Sequence, residues 1–204
     1  MADSPRPCYF PDMASHAPRH VTVDEFLAFE GEGDTRYQLV RGVVTAMAPP
    51  RLAHGEMVAR LVGWIGGRLP RPCRVIVEAG IKPPERNDTY WQADLAVNCR
   101  PRQPGELYLE APSLIVEVLS PSTEATDRLL KLGDYRRMPG VQHILLVATD
   151  RVAIEHWQRA GDFWQVRDLG PGDTLEVADL GITIPLDELY ADMLPEDGAG
   201  GSDT

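Results

Sequence analysis

The sequence predicts an α/β fold in which a mixed central sheet is flanked by helices and followed by an antiparallel C-terminal extension. The clearest strand is the apolar run Leu114–Leu119, bounded by prolines and typical of a strand buried on both faces. Segments with apolar residues every three or four positions predict helices around it. The order of elements differs from a Rossmann wind, and the sequence contains no Gly-rich phosphate loop.

Length and composition indicate one domain. The chain has 204 residues, of which 43% are apolar, enough to bury a sizeable core. We expect an irregular N-terminal lead-in over 1–20, a single domain over 21–193 and a disordered acidic tail over 194–204. No window approaches the roughly 20 apolar residues of a membrane span.

A cytoplasmic location is predicted from two further features. The N-terminal residues 1–13 lack a basic start followed by an apolar core, which argues against export. Cys8, Cys73 and Cys99 lie far apart and form no CxxC pair, so we expect free thiols in a reducing compartment rather than a zinc site or a disulfide.

The formal charge of −11 is concentrated at one end of the chain. Ten acids and no Lys or Arg follow Arg167, so the preceding residues carry a formal charge of about −1. A phosphate-binding face on the body of the protein is therefore compatible with the composition.

The N-terminal half alternates helices and strands. Thr22 and Glu25 form a capping box for a short helix through about Glu30. A hairpin turned at Arg41–Gly42 follows, and the apolar spacing over 52–69 predicts a longer helix. Two strands come next, at Cys73–Glu78 and Trp91–Val97, followed by an exposed loop over 100–112.

After the Leu114–Leu119 strand, Ser120 or Ser122 can cap a helix that runs to about Met138. The remaining predicted elements are a buried strand, three shorter strands and a final short helix, at Val141–Ala148, Val152–Trp157, Phe163–Arg167, Thr174–Val177 and Leu186–Met193.

The candidate site begins with Glu117, a carboxylate inside an apolar strand. An ionised carboxylate is costly there unless it is paired or binds a cation. Asp94 lies on the preceding strand, so the two acids can meet at one sheet edge and hold Mg²⁺ or Mn²⁺, which prefer oxygen ligands. The carbonyl of Val118 can add a third ligand. Lys131, on the next helix, can reach back to orient or deprotonate a water or to neutralise developing charge.

These residues also carry a family resemblance. The chain resembles the Uma-type restriction endonuclease family, a bacterial domain of unknown function in the PD-(D/E)XK nuclease superfamily, over roughly residues 22–190. The matching segments are Pro112–Thr123, Asp127, Lys131, Tyr135, Gly140–Val141, Tyr37–Val44, Pro49–Pro50, His54 and Trp91–Asp94.

The resemblance implies a restriction-endonuclease-like core, metal-dependent phosphodiester hydrolysis and DNA as the partner. Asp94 then matches the PD acid, and Glu117 matches the acid of the (D/E)XK element. Leu119 stands where the superfamily lysine is expected, so Lys131 becomes its replacement. Gln38 stands where the family often has an acid, which weakens the case for a second metal ion.

Several further residues are candidates to line the site. They are Gln38, His54, Glu78 and Tyr135, each with a plain structural alternative as a packing or surface residue. His143 and His156 lie in strands away from the acids and are predicted to be structural.

Three functions remain open from the sequence. The first is a Mg²⁺-dependent DNA endonuclease. The second is a catalytically inactive binding module that keeps the nuclease fold, motivated by Leu119 and Gln38. The third is a nuclease acting on RNA or a small phosphodiester. No membrane partner is expected, and a homodimer is compatible with cutting both strands.

Overall fold

The computed structural model describes residues 20–29, 33, 35–120 and 124–194. The predicted lead-in up to residue 19, the tail from residue 195 and the alternative cap Ser122 lie outside these residues.

The helical segments are short apart from the second. They are α1 (Val23–Leu27), α2 (Leu52–Gly66), α3 (Glu124–Thr126), a π-helical turn (Asp127–Lys131), α4 (Leu132–Arg137), a 3₁₀ turn (Ala178–Leu180) and α5 (Leu186–Leu189). Thr22 and Glu25 form the predicted capping box at the start of α1.

The strands follow the predicted order. They are β1 (Tyr37–Val40), β2 (Val43–Ala46), β3 (Arg74–Ile81), β4 (Trp91–Asn98), β5 (Leu114–Val118), β6 (His143–Val147), β7 (Ile154–Ala160), β8 (Phe163–Leu169), β9 (Thr174–Val177) and β10 (Ile182–Pro185).

The central sheet has six strands in the order β3-β4-β5-β6-β7-β8. Strands β5 and β6 are parallel, and the other neighbours are antiparallel. The segment α3–α4 provides the crossover that a parallel pair requires. The predicted mixed sheet with an antiparallel C-terminal extension is confirmed, and β9 pairs with β10 as a separate hairpin.

Two apolar cores cover the two faces of the sheet. One contains Val116 and Val118 of β5 together with α2 and the β9–β10 hairpin. The other contains Ile115 of β5 and Tyr135 of α4. All five β5 residues are buried, because helical segments close one face and α2 with the hairpin closes the other.

Three predictions about local structure need correction. β3 continues to Ile81, beyond the predicted end at Glu78, because it pairs with β4 as far as Trp91. The strand β10 was missed, since its burial depends on the distant residues of the first core. Cys73 and Cys99 form a disulfide instead of remaining free, because the β3–β4 register places them opposite each other, just beyond the last pair.

No helix in the described ranges is long and apolar enough to cross a lipid bilayer.

A histidine pair joins the central sheet to the C-terminal hairpin. His143 Nδ1 lies 3.0 Å from His156 Nε2, and His143 Nε2 lies 2.9 Å from Asp179 Oδ1. Both rings are buried, and His156 Nδ1 has no hydrogen-bond partner among the described residues. Burial, together with His143 and Arg167, lowers the pKa of His156 to about 4, although Asp179 acts in the opposite direction.

Acidification should therefore destabilise the fold through His156. Between pH 6.5 and 4 the unfolded chain binds a proton that the folded chain excludes, so stability falls as the pH falls through this window. The expected loss is about 2–3 kcal/mol. Urea unfolding of wild type and His156→Gln at several pH values measures it. The variant should lose part of the pH dependence, and parallel curves for both proteins would contradict the assignment.

Candidate active site

The site forms where strands β4 and β5 separate. Their ladder ends at the pair Leu95–Val116, and the next residues on the two strands are Asp94 and Glu117. Beyond this point, the backbone N–H of Val118 donates to Asp94 Oδ2 at 2.7 Å. The Asp94 side chain thus takes the place of a main-chain acceptor, which fixes its carboxylate beside Glu117.

A backbone irregularity in β3 accompanies this separation. Glu78 has a φ of +52°, a conformation uncommon for a residue with a side chain. It lies at the one position between Val77 and Ala79 where the β3–β4 pairing is interrupted, opposite Asp94. On β4, Ala93 packs in one core and Leu95 in the other, although strand alternation would place them on the same face. The irregularity therefore changes the direction in which β4 presents its side chains at Asp94.

Glu117 is buried and held by two donors. The hydroxyl of Tyr135 donates to Glu117 Oε1 at 2.6 Å, and Lys131 Nζ donates to Oε2 at 3.0 Å. The exposed fraction of Glu117 is 1%. The two donors come from helical positions four residues apart, so both side chains project from one face toward β5.

The π-helical turn places Lys131. Asp127 begins this turn and Lys131 ends it, and both are buried. Lys131 Nζ also donates to the carbonyl of Gln92 at 3.0 Å and lies 3.1 Å from Asp127 Oδ1. π-helical turns are rare and occur frequently at functional sites. Here the turn brings Lys131 against the carboxyl group of Glu117 on β5.

The charges of the site do not balance. Burial raises the pKa of Glu117 to about 8; Lys131 opposes this shift, while Asp127 and Asp94 add to it. Burial would lower the pKa of Lys131, but the surrounding carboxylates outweigh it and raise the pKa above its ordinary value. Lys131 is therefore a stable ammonium group. The three acids around it, Glu117, Asp127 and Asp94, outnumber this one positive charge and could bind an additional cation.

His54 of α2 faces the other oxygen of Asp94. His54 Nε2 lies 3.1 Å from Asp94 Oδ1. The hydrogen bond to Asp94 raises the pKa of His54 against the lowering effect of burial. Asp94 is thus held between a backbone N–H of β5 and the imidazole of α2.

A pocket of about 290 Å³ opens onto these groups. Its charged lining residues are Arg36, Arg51, His54, Asp94, Glu117, Asp127 and Lys131. The structure therefore brings four predicted site residues to one pocket, with Tyr135 behind Glu117 and Val118 bonded to Asp94. The remaining two, Gln38 and Glu78, lie outside its lining.

Sequence reasoning missed three residues of this pocket. Asp127 was not among the predicted site residues, and its burial 3.1 Å from Lys131 Nζ distinguishes it. Arg36 and Arg51 lie next to predicted elements, but no local pattern separates them from other surface arginines. The signal for Asp127 was its position inside the matching segments; the two arginines carried none.

The donor set fits a hard divalent cation that takes only a few of its ligands from the protein. Within the described residues, no group of three or more His, Cys, Asp or Glu side chains could hold a metal ion. Asp94 and Glu117 supply two carboxylates, and Mg²⁺ is commonly bound through one or two carboxylates with waters and substrate oxygens completing the shell. Asp127 Oδ1 is buried and lies 3.1 Å from Lys131 Nζ, the same ammonium that donates to Glu117, so one lysine serves two buried carboxyl groups.

The fold and the pocket define a restriction-endonuclease-like protein with a carboxylate–lysine site. The Uma2 family, described as "Putative restriction endonuclease", matches residues 23–187. The chain belongs to this family.

Similar proteins support the fold along most of the chain. The uncharacterized protein slr1290 of Synechocystis sp. is 29% identical over 185 residues, covering 87% of this chain and 97% of the relative. A second uncharacterized Synechocystis protein, sll1609, is 25% identical over 162 residues, covering 77% and 91%. The crystal structure of "a putative nuclease belonging to DUF820" from Anabaena variabilis has a TM-score of 0.65 at 22% identity, covering 83% of this chain and 97% of that one.

Removing the Tyr135 hydroxyl should destabilise the site. Tyr135→Phe keeps the ring but leaves Glu117 Oε1 without its donor, and an unsatisfied buried group costs about 1–3 kcal/mol. Urea unfolding measures this loss. Tyr108→Phe is the matched control, because its hydroxyl makes no hydrogen bond to a described residue. Equal stability of Tyr135→Phe and wild type would contradict the role of this bond.

Proposed function

We propose that this protein is a metal-dependent endonuclease that hydrolyses DNA phosphodiester bonds. The family description supports nuclease chemistry, and one observation carries the proposal for this chain. Lys131 Nζ lies 3.0 Å from Glu117 Oε2 in the same pocket as Asp94. The acid–acid–lysine constellation is therefore complete in space although its lysine is displaced in sequence.

Asp94 and Glu117 would hold Mg²⁺ or Mn²⁺ together with the carbonyl of Val118. When bound, the cation supplies Lewis-acid stabilisation of the phosphoryl oxygens and lowers the pKa of a bound water. Asp94 is fixed by the Val118 N–H, and Glu117 by Tyr135 and Lys131. These contacts preorganise both carboxylates, so little reorganisation is needed when substrate arrives.

Lys131 acts as an ammonium group in this mechanism. Its pKa is raised by Glu117, Asp127 and Asp94, so it donates hydrogen bonds and does not remove a proton. It orients the attacking water and offsets negative charge that develops on the phosphate during in-line displacement. The sequence left both roles open, and the electrostatics favour orientation and charge stabilisation.

The lysine geometry also bears on the non-catalytic alternative. That alternative was motivated by Leu119, which occupies the expected lysine position, and by Gln38, which stands where the family often has an acid. Since Lys131 contacts the same glutamate from the helix, this argument for an inactive binding module loses its main support. RNA or a small phosphodiester would use the same residues, so a substrate panel separates these possibilities from DNA.

Plasmid nicking tests the catalytic proposal. Purified protein with Mg²⁺ should convert supercoiled plasmid to open circles, and EDTA should stop the reaction. Asp94→Ala and Glu117→Ala should each reduce the rate by about 10²–10³-fold or more, because each removes a transition-state-stabilising group. Glu176→Ala, at an exposed acid on β9, is the matched control and should cut normally. Equal nicking by all four proteins would indicate a contaminating nuclease and refute the assignment.

Metal binding can be tested without a substrate. Isothermal titration calorimetry should detect Mg²⁺ or Mn²⁺ binding to wild type that is lost in Asp94→Asn and Glu117→Gln, because both substitutions remove a charged oxygen ligand. These variants keep the size of the side chains, and circular dichroism checks that they fold. If wild type bound neither cation, the inactive binding module would become the better explanation.

A further inference from the structure

A second cavity extends the pocket away from the carboxylates. It has a volume of about 360 Å³ and is lined by Thr35, Arg36 and the segment 47–50. Arg36 and 47–50 also line the pocket of Asp94 and Glu117, so the two cavities are adjacent. We call this second cavity the entry groove. None of the described residues that line it is acidic.

The walls of the entry groove are held in place by main-chain contacts. The N–H of Met47 donates to the carbonyl of Arg36 at 2.8 Å, which joins the two ends of the β1–β2 hairpin. Pro49 and Pro50 restrict the segment leading to Arg51, whose carbonyl accepts the first helical hydrogen bond of α2 from Gly55. Arg36, which lines both cavities, and Arg51, which lines the inner pocket, therefore project from fixed backbone.

Both arginines are available to an anionic ligand. Arg51 is exposed, and no described residue forms an ion pair or hydrogen bond with its side chain. Arg36 pairs with Glu78, but this ion pair is solvated, since the exposed fractions of the two side chains are 46% and 44%. Solvated ion pairs contribute little stability, so a phosphate can displace Glu78 at low cost.

We infer that Arg36 and Arg51 bind backbone phosphates of the nucleic-acid strand that lies in the entry groove and continues to Asp94 and Glu117. This inference rests on the proposed nuclease function and names the residues that position its substrate. The charge pattern supports it: among the described lining residues the acids lie in the inner pocket, and the one charged residue of the entry groove is Arg36, whose solvated partner Glu78 lies outside the lining. Since the protein carries a net charge of −11, a polyanion would be attracted through local basic groups such as these arginines.

Substitution of Glu78 should change DNA affinity in the direction opposite to substitution of Arg36. If Arg36 binds phosphate, then Glu78 competes with the substrate for its guanidinium group. Glu78→Gln removes the competing charge and should tighten DNA binding, whereas Arg36→Ala should weaken it. An arginine that merely completes a structural ion pair would give no gain in Glu78→Gln.

Fluorescence anisotropy with a labelled DNA duplex in EDTA-containing buffer, repeated over a salt series, tests these contacts without catalysis. Arg36→Ala and Arg51→Ala should each weaken binding about 5–10-fold at low salt and reduce the slope of log K against log salt by about 1. Arg36→Lys should keep the slope, because it keeps the charge. Glu78→Gln should bind about 2–5-fold more tightly. Arg68→Ala, just beyond the C-terminal end of α2 and roughly 25 Å from Arg51 at its N-terminal end, is the matched control and should bind as wild type.

The two proposals fail separately. Unchanged affinity and salt slope in Arg36→Ala and Arg51→Ala, beside a wild type that nicks plasmid with Mg²⁺, would overturn the phosphate contacts and leave the nuclease function standing. Weakened binding in both variants, beside a wild type that does not nick, would support the contacts and overturn the catalytic function.

Discussion

The structure depends on satisfying one buried carboxylate. Glu117 lies in the middle of a fully buried strand, where an isolated charge would be far too costly for a domain of ordinary stability. Its environment supplies two direct donors, Tyr135 and Lys131, from a helical segment that packs across β5. The crossover between β5 and β6 therefore does more than connect two parallel strands, because it also carries the groups that allow Glu117 to be there.

The displaced lysine follows from the geometry of this crossover. Leu119 lies two residues beyond Glu117, and the period of a strand places both on the same face of the sheet. Leu119 packs in the core that also contains Leu132 and Tyr135. A lysine at position 119 and a lysine at position 131 would therefore approach Glu117 from the same side. The π-helical turn at Asp127–Lys131 aims the helical lysine into this space, where it donates to Glu117, while Leu119 on the strand side is apolar.

The sequence was sufficient for the fold class and most strands, because these depend on local periodicity and on turn residues, and the family was predicted from the resemblance of its matching segments. The β1–β2 hairpin and the buried β5 were predicted from such patterns and are confirmed. The disulfide between Cys73 and Cys99, the strand β10 and the position of Arg36 in the pocket depend on which distant segments become neighbours. Periodicity along the chain contains no information about that pairing. The acids of the site were found because a carboxylate in an apolar strand is a local anomaly, whereas an arginine on a loop is not.

The irregularity at Glu78 links the inner pocket to the entry groove. A left-handed conformation at a glutamate costs free energy, and such strain persists only where the surrounding structure enforces it. Opposite Glu78, the side-chain alternation of β4 is interrupted at Asp94, so Ala93 and Leu95 face different cores. This interruption directs the Asp94 carboxylate toward Val118 and His54. The Glu78 side chain meanwhile reaches Arg36 at the mouth of the groove. One strained residue thus positions a proposed metal ligand through the backbone and restrains a proposed phosphate ligand through its side chain. Release of Arg36 to a phosphate would leave the backbone of Glu78, and therefore Asp94, unchanged, because the β3–β4 pairing on both sides of it is independent of that ion pair.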